Sequence, residues 1–189
     1  MPIISGVLWK MIAPVDNPTY DSAMMTWPDL CADKRFQDLP FKIELNGRGQ
    51  ILMSPTYFYH GHFAGRIHSL LEKLLPEGLA VVECAVNTAD GVREADVAWL
   101  SEALADKMED VYACPEAPEI CVEVISQSNT FEEMMLKRQL FIGAGAKEYW
   151  LCDRQGTMRF FDGIRELERS KLCPEFPVEL PKRTFGKKQ

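Results

Sequence analysis

Basic residues are in short supply. The 189-residue chain has 21 Lys and Arg against 28 Asp and Glu, a formal net charge of -7. That balance disfavours nonspecific nucleic-acid binding by the bulk surface, though it leaves room for a local basic groove. No run is long and apolar enough to cross a bilayer. The apolar start, Met1 to Lys10, has no basic segment before it and makes a poor signal peptide, so a cytoplasmic location is expected. The six cysteines, at 31, 84, 114, 121, 152 and 173, include no C-x-x-C pair. Their spacing argues against a structural zinc site and against a disulfide framework. A P-loop, a dinucleotide fingerprint and a serine elbow are all missing, and Gly143-Ala-Gly145 is too small a signal for phosphate binding. Neither an internal repeat nor a low-complexity linker is present.

What is there suits an ordinary globular core: 47% hydrophobic and 26% charged residues. The length fits one domain. Residues 1-25 read as an irregular N-terminal extension, 26-181 as one domain and 182-189 as a basic, solvated tail. Thr26-Trp-Pro-Asp29 has the residues of a short helix start. Phe41–Leu45 alternates, Asn46-Gly47 turns, and Gln50–Met53 completes a hairpin. The longest helix is expected to begin at Ser54-Pro-Thr56, with Phe63, Ile67, Leu70, Leu71 and Leu74 at helical spacing, and to stop at Pro76 and Gly78. Strands are expected at Ala80–Asn87, Glu94–Leu100, Ile120–Ile125 and Glu148–Cys152. Thr130-Phe-Glu-Glu133 is a capping box opening a helix that reaches Gly143 or Gly145. A second hairpin, Thr157–Phe161 and Ile164–Arg169, turns at Asp162-Gly163. Interleaved strands and helices predict an α/β or mixed α+β sheet flanked by helices.

Two carboxylates interrupt this apolar pattern. Glu123 sits inside Ile120-Cys-Val-Glu-Val-Ile125, and Asp96 inside the preceding strand. A buried charge needs a counter-charge, a metal or a proton. Neighbouring strands lie about 4.8 Å apart, so acids in register can share one cation. Mg²⁺ or Mn²⁺ suits such oxygen ligands, and the carbonyl of Val124 or Ile125 could add another. The plainer reading makes Asp96 a solvent-exposed strand end and pairs Glu123 with Arg93 or Lys137. Lys137 stands four residues after Glu133, which fits either a surface ion pair or a lysine placed over a scissile phosphate. Glu44 is a candidate ligand or the solvent face of a hairpin. Of the His60-Gly-His62 pair, His60 reads as a site wall or cap and His62 as surface. Tyr57, Phe58 and Tyr59 fit a core edge better than a base-stacking platform.

The order of these pieces resembles a large bacterial restriction-endonuclease family, long known as a domain of unknown function, within the PD-(D/E)XK nuclease superfamily. The matching segments are Glu44-Leu-Asn-Gly47, Met53-Ser-Pro55 with His60, Arg93-Glu-Ala-Asp96-Val, Glu123-Val-Ile-Ser126, Glu133-x-x-x-Lys137, and Gly145 through Asp153. The resemblance implies a restriction-endonuclease-like core with N-terminal and C-terminal hairpin extensions. It implies that Asp96 and Glu123 bind Mg²⁺ or Mn²⁺, that Lys137 supplies the catalytic lysine and that Glu44 is an additional early acid. Glu133 and His60 would support them. The chain departs from the family pattern at several places. Ile125 stands where the superfamily's lysine usually does, and Lys137 fits a position migrated to the following helix. Ala95 and Gln127 replace prolines, and Glu133 replaces an aspartate.

The function implied is a metal-dependent endonuclease acting on DNA, working as a homodimer when both strands are cut. The alternative is a nuclease-fold protein that binds nucleic acid or regulates without cutting. An apolar N-terminal segment was a candidate for the dimer contact.

Overall fold

The computed structural model describes residues 25-180, apart from positions 40, 56, 109, 110, 127 and 128. The expected N-terminal dimer segment and basic tail lie outside the described residues.

Local chemistry sets most boundaries. Thr26 caps helix α1 (Trp27–Ala32) and closes a capping box with Asp29. Strands β1 (Phe41–Asn46) and β2 (Ile51–Pro55) form the first hairpin. Helix α2 (Phe58–Leu74) begins later than its sequence suggests, because Ser54 and Pro55 still belong to β2. The long antiparallel pair β3 (Gly78–Thr88) and β4 (Gly91–Ser101) follows, then the short helix α3 (Glu102–Ala105). Strand β5 (Ile120–Val124) leads to α4 (Phe131–Gly143), whose Thr130–Glu133 capping box is the expected one. Strand β6 (Glu148–Cys152) matches its predicted span. In the second hairpin, β7 (Met158–Phe161) pairs with a β8 of only two residues (Glu166–Leu167), shorter than the alternation implied.

Among the described residues eight strands make one mixed sheet, ordered β2-β1-β4-β5-β6-β7-β8, with β3 on the other edge of β4. Among the described strands only β5 and β6 pair in parallel, as expected of strands joined through helix α4. Each face carries its own core. Phe63, Ile67 and Leu71 of α2 pack on Val97, Val122 and Trp150, while Met134 and Phe141 of α4 pack on Cys121, Tyr149 and Leu151. The C-terminal stretch adds Phe176, whose ring centroid lies 4.7 Å from that of Trp150.

The feature that matters for function is an interruption along β4. One edge of β4 pairs with β3 nearly end to end. Its other edge pairs first with β1, through Gly91 and Val92, and then with β5, from Val97 to Trp99. Between them, residues 93-96 face a fork where no strand is in register. Gly91 makes the first junction feasible: its φ is +79°, and a Cβ there would lie 2.2 Å from the Leu45 carbonyl oxygen. Across the ladder, Glu83 of β3 takes a φ of +53°. Such a turn is costly for a residue with a side chain. The strand changes face there: Ala80 belongs to one core, Cys84 and Val86 to the other.

Candidate active site

The fork gathers charged side chains from five elements, β1, β4, β5, α2 and α4. Continuing the β4–β5 register by one residue past Val97↔Val122 sets Asp96 opposite Glu123. Both are buried, which rejects the reading of Asp96 as an exposed strand end. Strand β1 brings Lys42 and Glu44, β4 adds Glu94, α2 brings His60, and α4 brings Lys137.

Several of these groups replace missing strand-to-strand hydrogen bonds. Glu44 Oε1 accepts from the Glu94 backbone N–H at 3.0 Å, and Lys137 Nζ donates to the Glu94 carbonyl at 3.3 Å. Asp96 Oδ2 accepts from the Val124 N–H at 2.7 Å. Buried backbone groups must find partners somewhere, and here side chains supply them.

Two ammonium groups then divide the acids. Lys137 Nζ lies 2.8 Å from Glu44 Oε1 and 2.9 Å from Glu123 Oε1. Lys42 Nζ lies 2.5 Å from Asp96 Oδ1 and 3.9 Å from both Glu94 Oε1 and Glu123 Oε2. His60 Nε2 sits 2.9 Å from Asp96 Oδ2. Asp96 therefore meets Lys42 on one oxygen, and His60 and Val124 on the other.

The carboxyl groups respond differently to this setting. Burial works to raise the Asp96 carboxyl, but Lys42 and His60 outweigh it and hold it below the usual carboxylate range. Glu44 is also lowered: burial opposes ionisation, but Lys137 and Lys42 prevail. Glu123 goes the other way. Burial and the neighbouring Asp96 push it up to about 7. Glu94 is pushed up to about 7 too, by burial first and then by Glu83 and Glu44. Burial would lower both lysines, yet the surrounding acids raise Lys137 and lift Lys42 well above its ordinary value. Burial likewise opposes the His60 shift, and the hydrogen bond to Asp96 raises it overall.

Asp96, Glu123, Lys137, Glu44 and His60, all singled out in the sequence, meet at this one place. Glu133 does not join them: its carboxylate accepts from the Thr130 N–H at 2.8 Å and completes the helix cap. Lys137 is therefore not the surface partner of Glu133. Arg93 is engaged with Asp90 rather than with Glu123. Lys42 and Glu94 were missed by sequence reasoning, although the alternation of Lys42 with Glu44 on one face of β1 was a usable signal. Of the aromatic trio at the start of α2, Tyr59 packs at a core edge, whereas Phe58 is 88% and Tyr57 42% exposed.

Among the described residues no group of three or more His, Cys, Asp and Glu side chains is placed to hold a metal ion. Nor is any described helix long and apolar enough to cross a membrane.

Comparison with known proteins agrees with this architecture. Residues 33-161 match the Uma2 family, described as "Putative restriction endonuclease". A solved structure from Anabaena variabilis, described as "a putative nuclease belonging to DUF820", superposes with a TM-score of 0.61. It is 14% identical, and the match covers 82% of this chain and 94% of that one, a likeness of fold. No curated protein matches the chain.

Proposed function

We propose a nuclease function from one premise: the chain belongs to the Uma2 family of restriction-endonuclease-like proteins. In this reading it is a metal-dependent endonuclease that hydrolyses phosphodiester bonds in DNA. The observation that carries it is the meeting of Asp96, Glu123, Glu44 and Lys137 at the β4 fork.

The chemistry of the donors, rather than their arrangement in this structure, suits a divalent cation. Four buried or half-buried carboxylates (Glu44, Glu94, Asp96 and Glu123) share two lysine ammoniums, an excess of two negative charges when all four are ionised. Glu94 Oε1 is buried without a hydrogen-bond donor. Hard oxygen ligands of this kind suit Mg²⁺ or Mn²⁺, and magnesium keeps several waters, so few protein ligands suffice. Asp96 and Glu123 would hold the ion, with Glu44 as a further acid. When bound, the ion supplies positive charge against a phosphate oxygen and lowers the pKa of an attacking water.

The chain's own groups do the rest. Lys137, fixed between Glu44, Glu123 and the Glu94 carbonyl, presents an ammonium that orients the attacking water and offsets charge building on phosphorus. His60 and the Val124 N–H hold Asp96 Oδ2, fixing the orientation of that carboxylate. Lys42 stands between Asp96 and Glu123, where it balances their charge.

Purified protein should nick or linearise plasmid DNA with Mg²⁺ or Mn²⁺, and Asp96→Ala and Glu123→Ala should each abolish cutting. A folded protein that cuts no DNA with either ion counts against this reading. A second reading, a nuclease fold that binds or regulates without cutting, draws on the two lysines that already offset part of the acids' charge. It predicts DNA binding without metal-dependent cleavage.

A further inference from the structure

Beside the acids lies a cavity of about 430 Å³. Its size falls within the range of small-molecule sites, about 300–1,000 Å³. The lining combines the aromatic residues Trp27, Phe36 and Phe41 with the polar residues Gln37, Lys42, Glu83 and Glu94. The rings come from α1, the short turn after it and the first residue of β1. Phe41 is 41% exposed, so its ring is not committed to the core.

Two observations tie this cavity to the site. Lys42 and Glu94 belong both to its lining and to the acid cluster at the fork. Glu94 Oε1, buried and lacking a hydrogen-bond donor, stands 3.9 Å from the Lys42 ammonium, too far for a hydrogen bond. A buried carboxylate oxygen without a donor is rare in folded proteins and calls for one from outside.

Building on the nuclease reading above, we infer that this cavity receives one unpaired nucleobase of the bound strand, stacked on the aromatic side chains with an edge N–H on Glu94 Oε1. A base has the flat apolar face that such rings accept. It also carries ring or exocyclic N–H groups that acidic side chains recognise. A phosphate at the acid and lysine cluster leaves its own nucleotide's base within reach of a cavity that shares Lys42 with that cluster. A base taken from the stack is also how other enzymes read a position that the duplex hides.

The experiment uses the full chain and a single-stranded oligonucleotide carrying one 2-aminopurine among thymines, without a divalent metal ion. Anisotropy of an end label reports whether the strand binds, and 2-aminopurine fluorescence reports whether that base stacks on a ring. We expect the strand to bind and the fluorescence to fall several-fold. Phe41→Ala should recover the fluorescence and weaken binding about tenfold, the scale of one lost stacking partner. Phe41→Trp should restore both, and the melting temperature of each variant checks that the fold is intact. If the strand binds but Phe41→Ala leaves the quench unchanged, or Phe58→Ala alone removes it, the cavity assignment is overturned and the nuclease reading stands. If anisotropy shows no binding of the strand, the cavity assignment fails, while the nuclease reading stands or falls on plasmid cutting with Mg²⁺ or Mn²⁺.

Discussion

Replacing Lys137 with methionine tests the construction of the fork directly. Methionine keeps much of the side chain's length and volume but removes the ammonium. In the structure the Lys137 side chain is 16% exposed, and its ammonium touches Glu44 at 2.8 Å, Glu123 at 2.9 Å and the Glu94 carbonyl at 3.3 Å. Breaking a buried pair by removing one partner costs about 3–5 kcal/mol, because the remaining charge is left uncompensated. A surface pair between Glu133 and Lys137 would have cost about 0.3–0.5 kcal/mol. The two expectations differ by an order of magnitude.

The loss should also depend on pH. Glu123 titrates up at about 7 in the folded protein, so below that it carries a proton and needs Lys137 less. Above it, the carboxylate is charged and the missing ammonium is felt in full. Glu44, held low, remains ionised and keeps part of the penalty at mildly acidic pH. Guanidinium denaturation of wild type and Lys137→Met at about pH 8 and about pH 5.5 should show the larger difference at the higher pH. A difference below about 0.5 kcal/mol that does not change with pH would refute the buried-pair reasoning.

Three further outcomes follow from the same geometry. His60 titrates above its ordinary value, so its bond to Asp96 stabilises fully below about pH 6.5 and fades as pH rises through the folded value; wild type should therefore exceed His60→Gln in melting temperature most at mildly acidic pH. Millimolar Mg²⁺ should raise the melting temperature of wild type and not of Glu123→Gln, with about 2.7 kcal/mol gained at a hundredfold excess over the dissociation constant; equal shifts in both proteins would remove Glu123 from the ion's ligands. Gly91→Ala should cost more than about 1 kcal/mol in guanidinium denaturation, because φ is +79° and the added carbon meets the Leu45 carbonyl; a neutral result would mean that the β1–β4 junction yields easily.

Much of the fold was legible because hydrophobic period and capping chemistry are local. The capping boxes at Thr26 and Thr130 and the strand at Glu148–Cys152 are written in adjacent residues. Asp96 and Glu123 were legible for a related reason: an acid inside an apolar strand has few explanations. Lys42 and Glu94 were not. On β1, alternation alone assigns Phe41 to the core and Lys42 to solvent, yet Phe41 is the more exposed of the two. What reverses them is the fork in β4, a long-range arrangement that turns the polar face of a hairpin toward buried acids. The start of α2 was misjudged because Ser54-Pro55 suits a helix entrance as well as a strand end, and pairing with β1 decides between them. The role of Lys137 was open between two partners at helical and tertiary distance, and only the position of α4 over the sheet separates them.

The fork also bears on how such a protein ages. Glu44, Asp96 and Lys137 complete backbone hydrogen bonds that no strand provides. Selection for a foldable chain therefore holds these residues even where selection for cutting has lapsed. A lineage that gave up cleavage would keep Glu44, Asp96 and Lys137 as joinery, and would first change residues that complete no backbone bond, such as the exposed Phe58.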